Sequence, residues 1–126
     1  MSEYVLDASA VLALMFLEPG RERVEAILSD SVIGRVNVTE VLTKLLEKGS
    51  SLEEAIENFA DLDLTIAEFD EQQSRKIAEL RPLTRHLGLS LGDRACLALA
   101  IIENATAVTA DRNWASLSVC PVEVIR

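Results

Sequence analysis

Four acidic residues stand where short apolar runs end or amphipathic runs begin. Asp7 follows the run "YVL", and Asp111 follows "AVTA". Glu40 lies near the start of "NVTEVLTKLL", and Asp93 lies near the start of "SLGDRACLALA". Carboxylate oxygens, without a histidine pair or a cysteine set, favour Mg²⁺ or Mn²⁺ over zinc. Grouped together, the four carboxylates would hold such an ion, which binds a phosphodiester and lowers the pKa of a water.

Each acid also has a purely structural interpretation as a helix cap. Glu40 follows Asn37, and Asp93 follows Ser90, at the spacing of a capping box,. The other two acids directly precede a helix, where the helix dipole favours negative charge. A cap needs only its own helix, whereas both strand-end acids are expected at one edge of a parallel sheet. Because crowded carboxylates raise one another's pKa, such a cluster is expected to bind a cation.

The acids are spread along a chain in which strand and helix patterns alternate. Strands are predicted at 3–7, 31–34, 64–69, 106–111 and 122–126, with helices between them,. Strands that are apolar on both faces indicate a parallel sheet with right-handed crossovers. The pattern therefore predicts an α/β fold in which residues 1–126 form a single three-layer domain, a parallel sheet of about five strands flanked by helices. The helix over 70–88 is expected to break near Pro82.

Composition narrows the classes of function. The net charge of −9 opposes a general affinity for nucleic acid, so any such function needs local compensation,. The chain has no apolar run long enough to cross a bilayer and no basic-then-apolar leader, which predicts a cytoplasmic protein without a membrane anchor,. Cys96 and Cys120 lack metal-ligand spacing and are expected to be reduced. The single histidine, His86, cannot supply catalysis by a histidine pair.

Four stretches, "VLDASAVLAL", "NVTEVLTKL", "LSLGDRACLALA" and "AVTADRNWASL", occur in this order over nearly the whole chain. Together they resemble the PIN-domain ribonucleases, and in particular the VapC toxins of bacterial toxin–antitoxin pairs. The resemblance implies a PIN-like parallel sheet flanked by helices, a Mg²⁺ or Mn²⁺ site and cleavage of single-stranded RNA. Carried over by position, Asp7, Glu40, Asp93 and Asp111 correspond to the four acids of the family site.

Neighbouring residues extend the resemblance. Ser9 and Thr109 match hydroxyl positions near the first and fourth acids, where they would hydrogen-bond a ligand or a water. Position 113 is often acidic in the family and is Asn113 here, which removes one possible additional ligand. Trp114, the one tryptophan, either stacks on a base or lies in the core,.

The expected partners are an RNA substrate, a small antitoxin and a second copy of the chain. Divalent ions held by the four acids would add local positive charge. Arg94 and Arg112 directly follow site acids, and each either contacts phosphates of the RNA or is an ordinary surface charge. The apolar faces of "VEAIL" and "VTEVLTKLL" suggest a homodimer. An antitoxin is expected to contribute a basic segment, with an Arg reaching into the acidic crevice.

Two other function classes fit parts of the sequence. A phosphoacceptor receiver domain needs an acidic pair after the first strand and a Lys after the last, but here the first strand is followed by Asp7 alone and no such Lys is present. The stronger alternative is a PIN-like protein-binding module with little or no nuclease activity. The four intact acids favour the metal-dependent endoribonuclease over that module.

Overall fold

The computed structural model describes residues 2–126, so Met1 of the predicted 1–126 domain lies outside the described residues. Within them the chain forms five strands, six α-helices and three short 3₁₀ segments. The strands are β1 (Tyr4–Leu6), β2 (Ser31–Gly34), β3 (Thr65–Ala67), β4 (Thr106–Thr109) and β5 (Val122–Val124). The helices are α1 (Ala8–Met15), α2 (Arg21–Ile27), α3 (Arg35–Glu47), α4 (Leu52–Ala60), α5 (Glu71–Thr84) and α6 (Leu91–Glu103). The 3₁₀ segments are Leu28–Asp30, Arg85–Leu87 and Arg112–Ser116.

The five strands form one parallel sheet in the order β3-β2-β1-β4-β5. In the centre, Val5 of β1 lies opposite Val32 of β2 on one side and Ala107 of β4 on the other. From β1 the chain winds outward to β2 and β3 in one direction, and β4 and β5 lie in the other. The strand order therefore reverses at β1, and a crevice is expected beyond the carboxyl ends of β1 and β4.

Helices cover both faces of the sheet, because the strand pleat sends alternate side chains to opposite sides. The face covered by α5 and α6 receives Val5, Val32 and Ala107. The face covered by α1 to α4 receives Leu6, Ile33 and Val108. With both faces packed, the interior positions of the central strands are apolar, which is why these strands could be recognised in the sequence. The predicted α/β class, with a parallel sheet flanked by helices, is confirmed.

The predicted break near Pro82 is wrong. Helix α5 continues through Pro82 to Thr84 before it tightens into the 3₁₀ turn Arg85–Leu87. A proline removes one N–H and leaves the carbonyl four residues earlier, that of Ala78, without its helical partner. Pro82 and Ala78 are both exposed, so water can reach that carbonyl. The turn then ends at Gly88, whose φ of +63° is a conformation that glycine adopts readily,.

The apolar faces suggested for a dimer are mostly buried within the chain itself. Val24 and Ile27 of "VEAIL" and Val41 of "VTEVLTKLL" belong to the core beneath α1 to α4. Large exposed apolar side chains lie elsewhere, namely Leu52, Ile56, Leu83 and Leu91 on helices and Phe69 between β3 and α5. None of the helices within residues 2–126 is long and apolar enough to cross a bilayer.

Candidate functional site

Asp7 lies at the carboxyl end of β1, the central strand, and is only 5% exposed. It occupies the N-cap position of α1, but its side chain accepts no capping hydrogen bond from the backbone N–H groups of that helix. Its Oδ2 instead accepts hydrogen bonds from the Ser9 hydroxyl at 2.6 Å and the Thr109 hydroxyl at 3.0 Å. The capping interpretation of Asp7 is therefore wrong, because two side-chain hydroxyls, one from α1 and one from β4, bind the carboxylate.

Burial raises the pKa of Asp7 to about 6, even though the hydroxyl bonds from Ser9 and Thr109 act in the opposite direction,. The negative charges of Asp93 and Glu40 raise the Asp7 pKa further. Three of the four predicted site acids therefore share one electrostatic environment. A positive charge placed among them would favour the ionised form of Asp7.

Glu40 lies inside α3 rather than at its start. The helix begins at Arg35, and its N-cap, Gly34, offers no side chain. The capping-box interpretation of Asn37 and Glu40 is therefore wrong. The Asn37 side-chain amide instead donates to Glu40 Oε1 at 2.8 Å. Burial raises the pKa of Glu40, the Asn37 hydrogen bond opposes that effect, and the charge of Asp93 adds to it.

Asp93 and Asp111 do cap helical segments. Asp93 Oδ2 accepts from the backbone N–H of Ser90 at 2.9 Å, and the Ser90 hydroxyl accepts from the backbone N–H of Asp93 at 3.1 Å. Asp111 Oδ1 accepts from the backbone N–H of Asn113 at 3.0 Å. The capping interpretation is correct for these two acids. Each cap engages one carboxylate oxygen, so capping and ligand binding are compatible at both residues.

The Thr109 hydroxyl connects Asp7 to the backbone of the fourth acid, Asp111. Thr109 Oγ1 donates to Asp7 Oδ2 and accepts from the backbone N–H of Asp111 at 3.1 Å. As the side chains stand, residues 2–126 contain no group of three His, Cys, Asp or Glu side chains arranged to hold a metal ion. The donor set nevertheless fits a hard cation, since it consists of carboxylates, and burial raises the pKa of two of them, Asp7 and Glu40,.

The chain was also compared with known proteins. Its residues 4–119 match the family model described as the PIN domain. The chain belongs to the PIN domain family. The predicted family is thus confirmed. No curated protein gave a significant sequence match.

Solved structures with a similar PIN fold come from several bacteria. A chain of the DNA-bound VapBC from Salmonella typhimurium is 19% identical, with a TM-score of 0.76 and 100% of both chains covered. A toxin–antitoxin complex from Klebsiella pneumoniae is 16% identical, with a TM-score of 0.76 and 98% of both chains covered. FitAcB from Neisseria gonorrhoeae is 21% identical, with a TM-score of 0.71, and 94% of this chain and 95% of that chain are covered.

The structure also places Trp114, Arg94 and Arg112, for which the sequence left two interpretations each. Trp114 is fully buried and packs in the core beneath α5 and α6, so the base-stacking interpretation is wrong. Arg94 donates from Nη1 to the Ile77 carbonyl of α5 at 3.0 Å. Arg112 donates from Nε to the Arg126 carbonyl at 3.1 Å. Both guanidinium groups thus bond to backbone oxygens rather than to the site acids.

Sequence reasoning recognised Asn37 only as a cap and did not consider Gly92. In the PIN domain Asn37 is fully buried and bonds both to Glu40 and to the Gly92 carbonyl. Residues three apart on a helix share a face, so the spacing of Asn37 and Glu40 was the signal available for this contact. The position of Gly92 carried no comparable signal, because its neighbour comes from a different helix.

Proposed function

We propose that this PIN domain, taken as residues 1–126, is a metal-dependent endoribonuclease that hydrolyses single-stranded or loop RNA. The observation that carries the proposal is the convergence of Asp7, Glu40 and Asp93, with Asp7 buried at the point where the strand order reverses. Ligands of open parallel sheets bind at such points. The similar fold of chains from VapBC and FitAcB complexes supports a role as the toxin of a toxin–antitoxin pair.

We propose Asp7, Glu40, Asp93 and Asp111 as the residues that hold Mg²⁺ or Mn²⁺. When bound, the ion supplies positive charge to the phosphodiester and lowers the pKa of a water. Ser9 and Thr109 engage Oδ2 of Asp7 and fix the orientation of the carboxylate, so that Oδ1 is available to a ligand. Asp93 lies in the first turn of α6, a position where a helix dipole interacts favourably with acidic side chains,.

A groove beside the acids offers a path for the RNA backbone. It encloses about 260 Å³ and is lined by Ser9 together with Lys44, Lys48 and Arg126. Glu18 also lines the groove and pairs with Arg126 at 3.3 Å. Because Ser9 bonds directly to Asp7, the groove adjoins the proposed catalytic site. The lysines supply the local positive charge that binding of a polyanion needs in a chain of net charge −9,.

Cleavage products test the proposed chemistry. The purified protein is expected to cut structured RNA in Mg²⁺ or Mn²⁺ and to leave 5′-phosphate and 3′-hydroxyl ends. The chain has one histidine, the exposed His86, so it lacks the pair that would drive attack by the ribose 2′-hydroxyl. EDTA should stop cleavage and excess Mn²⁺ should restore it, as end-labelled gels would show. Products ending in a 2′,3′-cyclic phosphate, or cleavage that resists EDTA, would contradict the mechanism.

The absence of cleavage of any cellular RNA, with metal bound, would instead favour the protein-binding module.

We propose that the nuclease works in the cytoplasm, where RNA is present and the free thiols of Cys96 and Cys120 stay reduced,.

An apolar groove between α3, α4 and β3 supports the proposed antitoxin partner. It encloses about 460 Å³, and its apolar lining includes Leu42, Ile56 and Phe59. Helix α4, with the sequence "LEEAIENFA", carries three acids and no base. The complementary partner is a segment that presents apolar side chains flanked by Lys or Arg. We propose that a small antitoxin supplies this segment.

Assembly can be measured by sedimentation velocity at micromolar concentration. We expect a homodimer with twice the 13.8 kDa chain mass, since large exposed apolar side chains such as Leu83 and Leu91 favour association,. Adding the antitoxin, sought as the product of the neighbouring reading frame, should give a larger species. The variant Ile56→Glu, which alters the apolar groove, should still form the homodimer but should no longer bind the antitoxin. A monomer at all concentrations would refute the dimer, and unchanged antitoxin binding by Ile56→Glu would refute the groove as its site.

A further inference from the structure

Glu40 is held between two helices by residues that are not themselves acids. Its Oε1 accepts a hydrogen bond from Asn37, one turn earlier on α3. Its carboxyl group lies directly against Gly92, in the first turn of α6. Gly92 immediately precedes Asp93, so the contact brings Glu40 beside the next acid of the proposed site.

Asn37 acts as a double donor. Its Nδ2 donates to Glu40 Oε1 at 2.8 Å and to the Gly92 carbonyl at 3.0 Å, while its Oδ1 is buried without a partner. Turning the amide over would place its oxygen against two acceptors, so the orientation of the side chain is fixed. A buried acceptor without a partner is unfavourable for stability. Asn37 therefore stabilises the structure through its two donated hydrogen bonds, one of which restrains Glu40.

Gly92 provides the space for the Glu40 carboxylate. A Cβ built on Gly92 would lie within 2.6 Å of Cδ and both oxygens of Glu40, closer than real contacts allow. Gly92 is not among the residues with positive φ, so backbone conformation does not require a glycine there. Glycine is also a poorer helix residue than alanine. The feature that does require glycine is the close approach of Glu40.

We propose that Asn37 and Gly92 are positioning residues, which together form a seat that holds the Glu40 carboxylate beside Asp93. The seat consists of the Asn37 amide on one side and the bare backbone of Gly92 on the other. It connects α3 to α6, so the register between these helices determines where Glu40 lies. The inference rests on the proposed function, since it assigns the seat to the metal-binding role of Glu40.

The competing explanation is that Asn37 and Gly92 serve only to join α3 and α6. The two explanations make opposite predictions for variants that keep the packing. Asn37→Leu has the same number and branching of side-chain atoms but no donors, and it also removes the unpaired buried oxygen. Gly92→Ala adds one methyl group, which the flexible end of Glu40 can avoid by moving away. If the seat positions Glu40, both variants should fold well and bind metal poorly.

Calorimetric titration with Mn²⁺ alone tests the inference. We expect Asn37→Leu and Gly92→Ala each to weaken Mn²⁺ binding by about tenfold, or ~1.4 kcal/mol. In EDTA, the melting temperature of Gly92→Ala should equal or exceed that of the wild type. Gln73→Met is the matched control, because Gln73 is a buried amide that donates to the Glu68 carbonyl at 2.7 Å, away from the acids. This control should melt at a lower temperature and bind Mn²⁺ normally.

A second measurement needs no metal. In side-chain amide NMR spectra of the metal-free protein, the Nδ2 protons of Asn37 should exchange slowly in the wild type and faster in Gly92→Ala, because Glu40 has moved. Normal Mn²⁺ affinity in both seat variants, with binding intact in the wild type, would overturn the seat and leave the proposed function standing. If the wild type itself binds no Mn²⁺, the proposed function fails and the role of the seat fails with it.

Discussion

Asp7→Asn is expected to lower RNA cleavage by at least about a hundredfold, the order of loss seen when one preorganised polar group is removed from an active site. Asparagine has the shape of aspartate, so its amide oxygen can take the place of Oδ2 and accept the same bonds from Ser9 and Thr109. The change therefore removes the charge and keeps the local structure. Initial rates on a labelled RNA in Mn²⁺ measure the loss.

The control for this experiment is another Asp→Asn change that alters the net charge equally. Asp61→Asn serves, because Asp61 is exposed at the end of α4, away from β1 and β4. This variant should cleave RNA at the wild-type rate. If Asp7→Asn also cleaved at that rate, Asp7 would have no part in catalysis, and the protein-binding module would become the better account of the fold.

Asp7→Asn is also expected to stabilise the metal-free protein at about pH 7.5, by on the order of 2–3 kcal/mol. The pKa of Asp7 is raised from 3.8 to about 6, so the folded state holds this proton more tightly than the unfolded state does. The stability contributed by this group is therefore complete below the unfolded pKa and is lost as pH rises through about 6. Asparagine has no proton to lose, and the variant avoids that loss.

Urea unfolding in EDTA across a pH series measures the difference. The advantage of Asp7→Asn should be largest above about pH 7 and should disappear below about pH 3, where Asp7 is protonated in both states. Other carboxyl groups titrate in both proteins, so the difference between the two curves isolates Asp7. A variant that is less stable than the wild type at every pH would show that the carboxylate holds β1 and β4 together, rather than being kept there for its charge.

The central strands could be predicted from the sequence because burial on both faces makes their interior residues apolar. The run "SVIG" coincides with β2, and "AVT" lies within β4. The sequence could not separate a helix start from a helix interior by spacing alone. Helix α3 begins two residues before Asn37, so a pair with capping-box spacing became an internal contact. Ser90 and Asp93 have the same spacing and do form the box.

The depth to which individual side chains are buried could not be predicted from the sequence either. Asp7 was expected at a strand end, but its raised pKa depends on how deeply the surrounding structure buries it, against the opposing effect of the Ser9 and Thr109 hydroxyls. The seat of Glu40 depends on the distance between α3 and α6, which no local pattern encodes. Trp114 could not be assigned to core or surface from "NWASL", since a short 3₁₀ segment has too few turns to define an apolar face.

The pairing of β1 with β4 has a consequence for how the chain is made. The Thr109 hydroxyl that orients Asp7 comes 102 positions after it in the chain. Asp93 and Asp111 likewise are made long after Asp7 and Glu40. A growing chain that has not yet reached Asp93 therefore holds only two of the four proposed catalytic acids. We expect such a chain to be unable to cut RNA, because the proposed site cannot assemble until β4 has paired with β1.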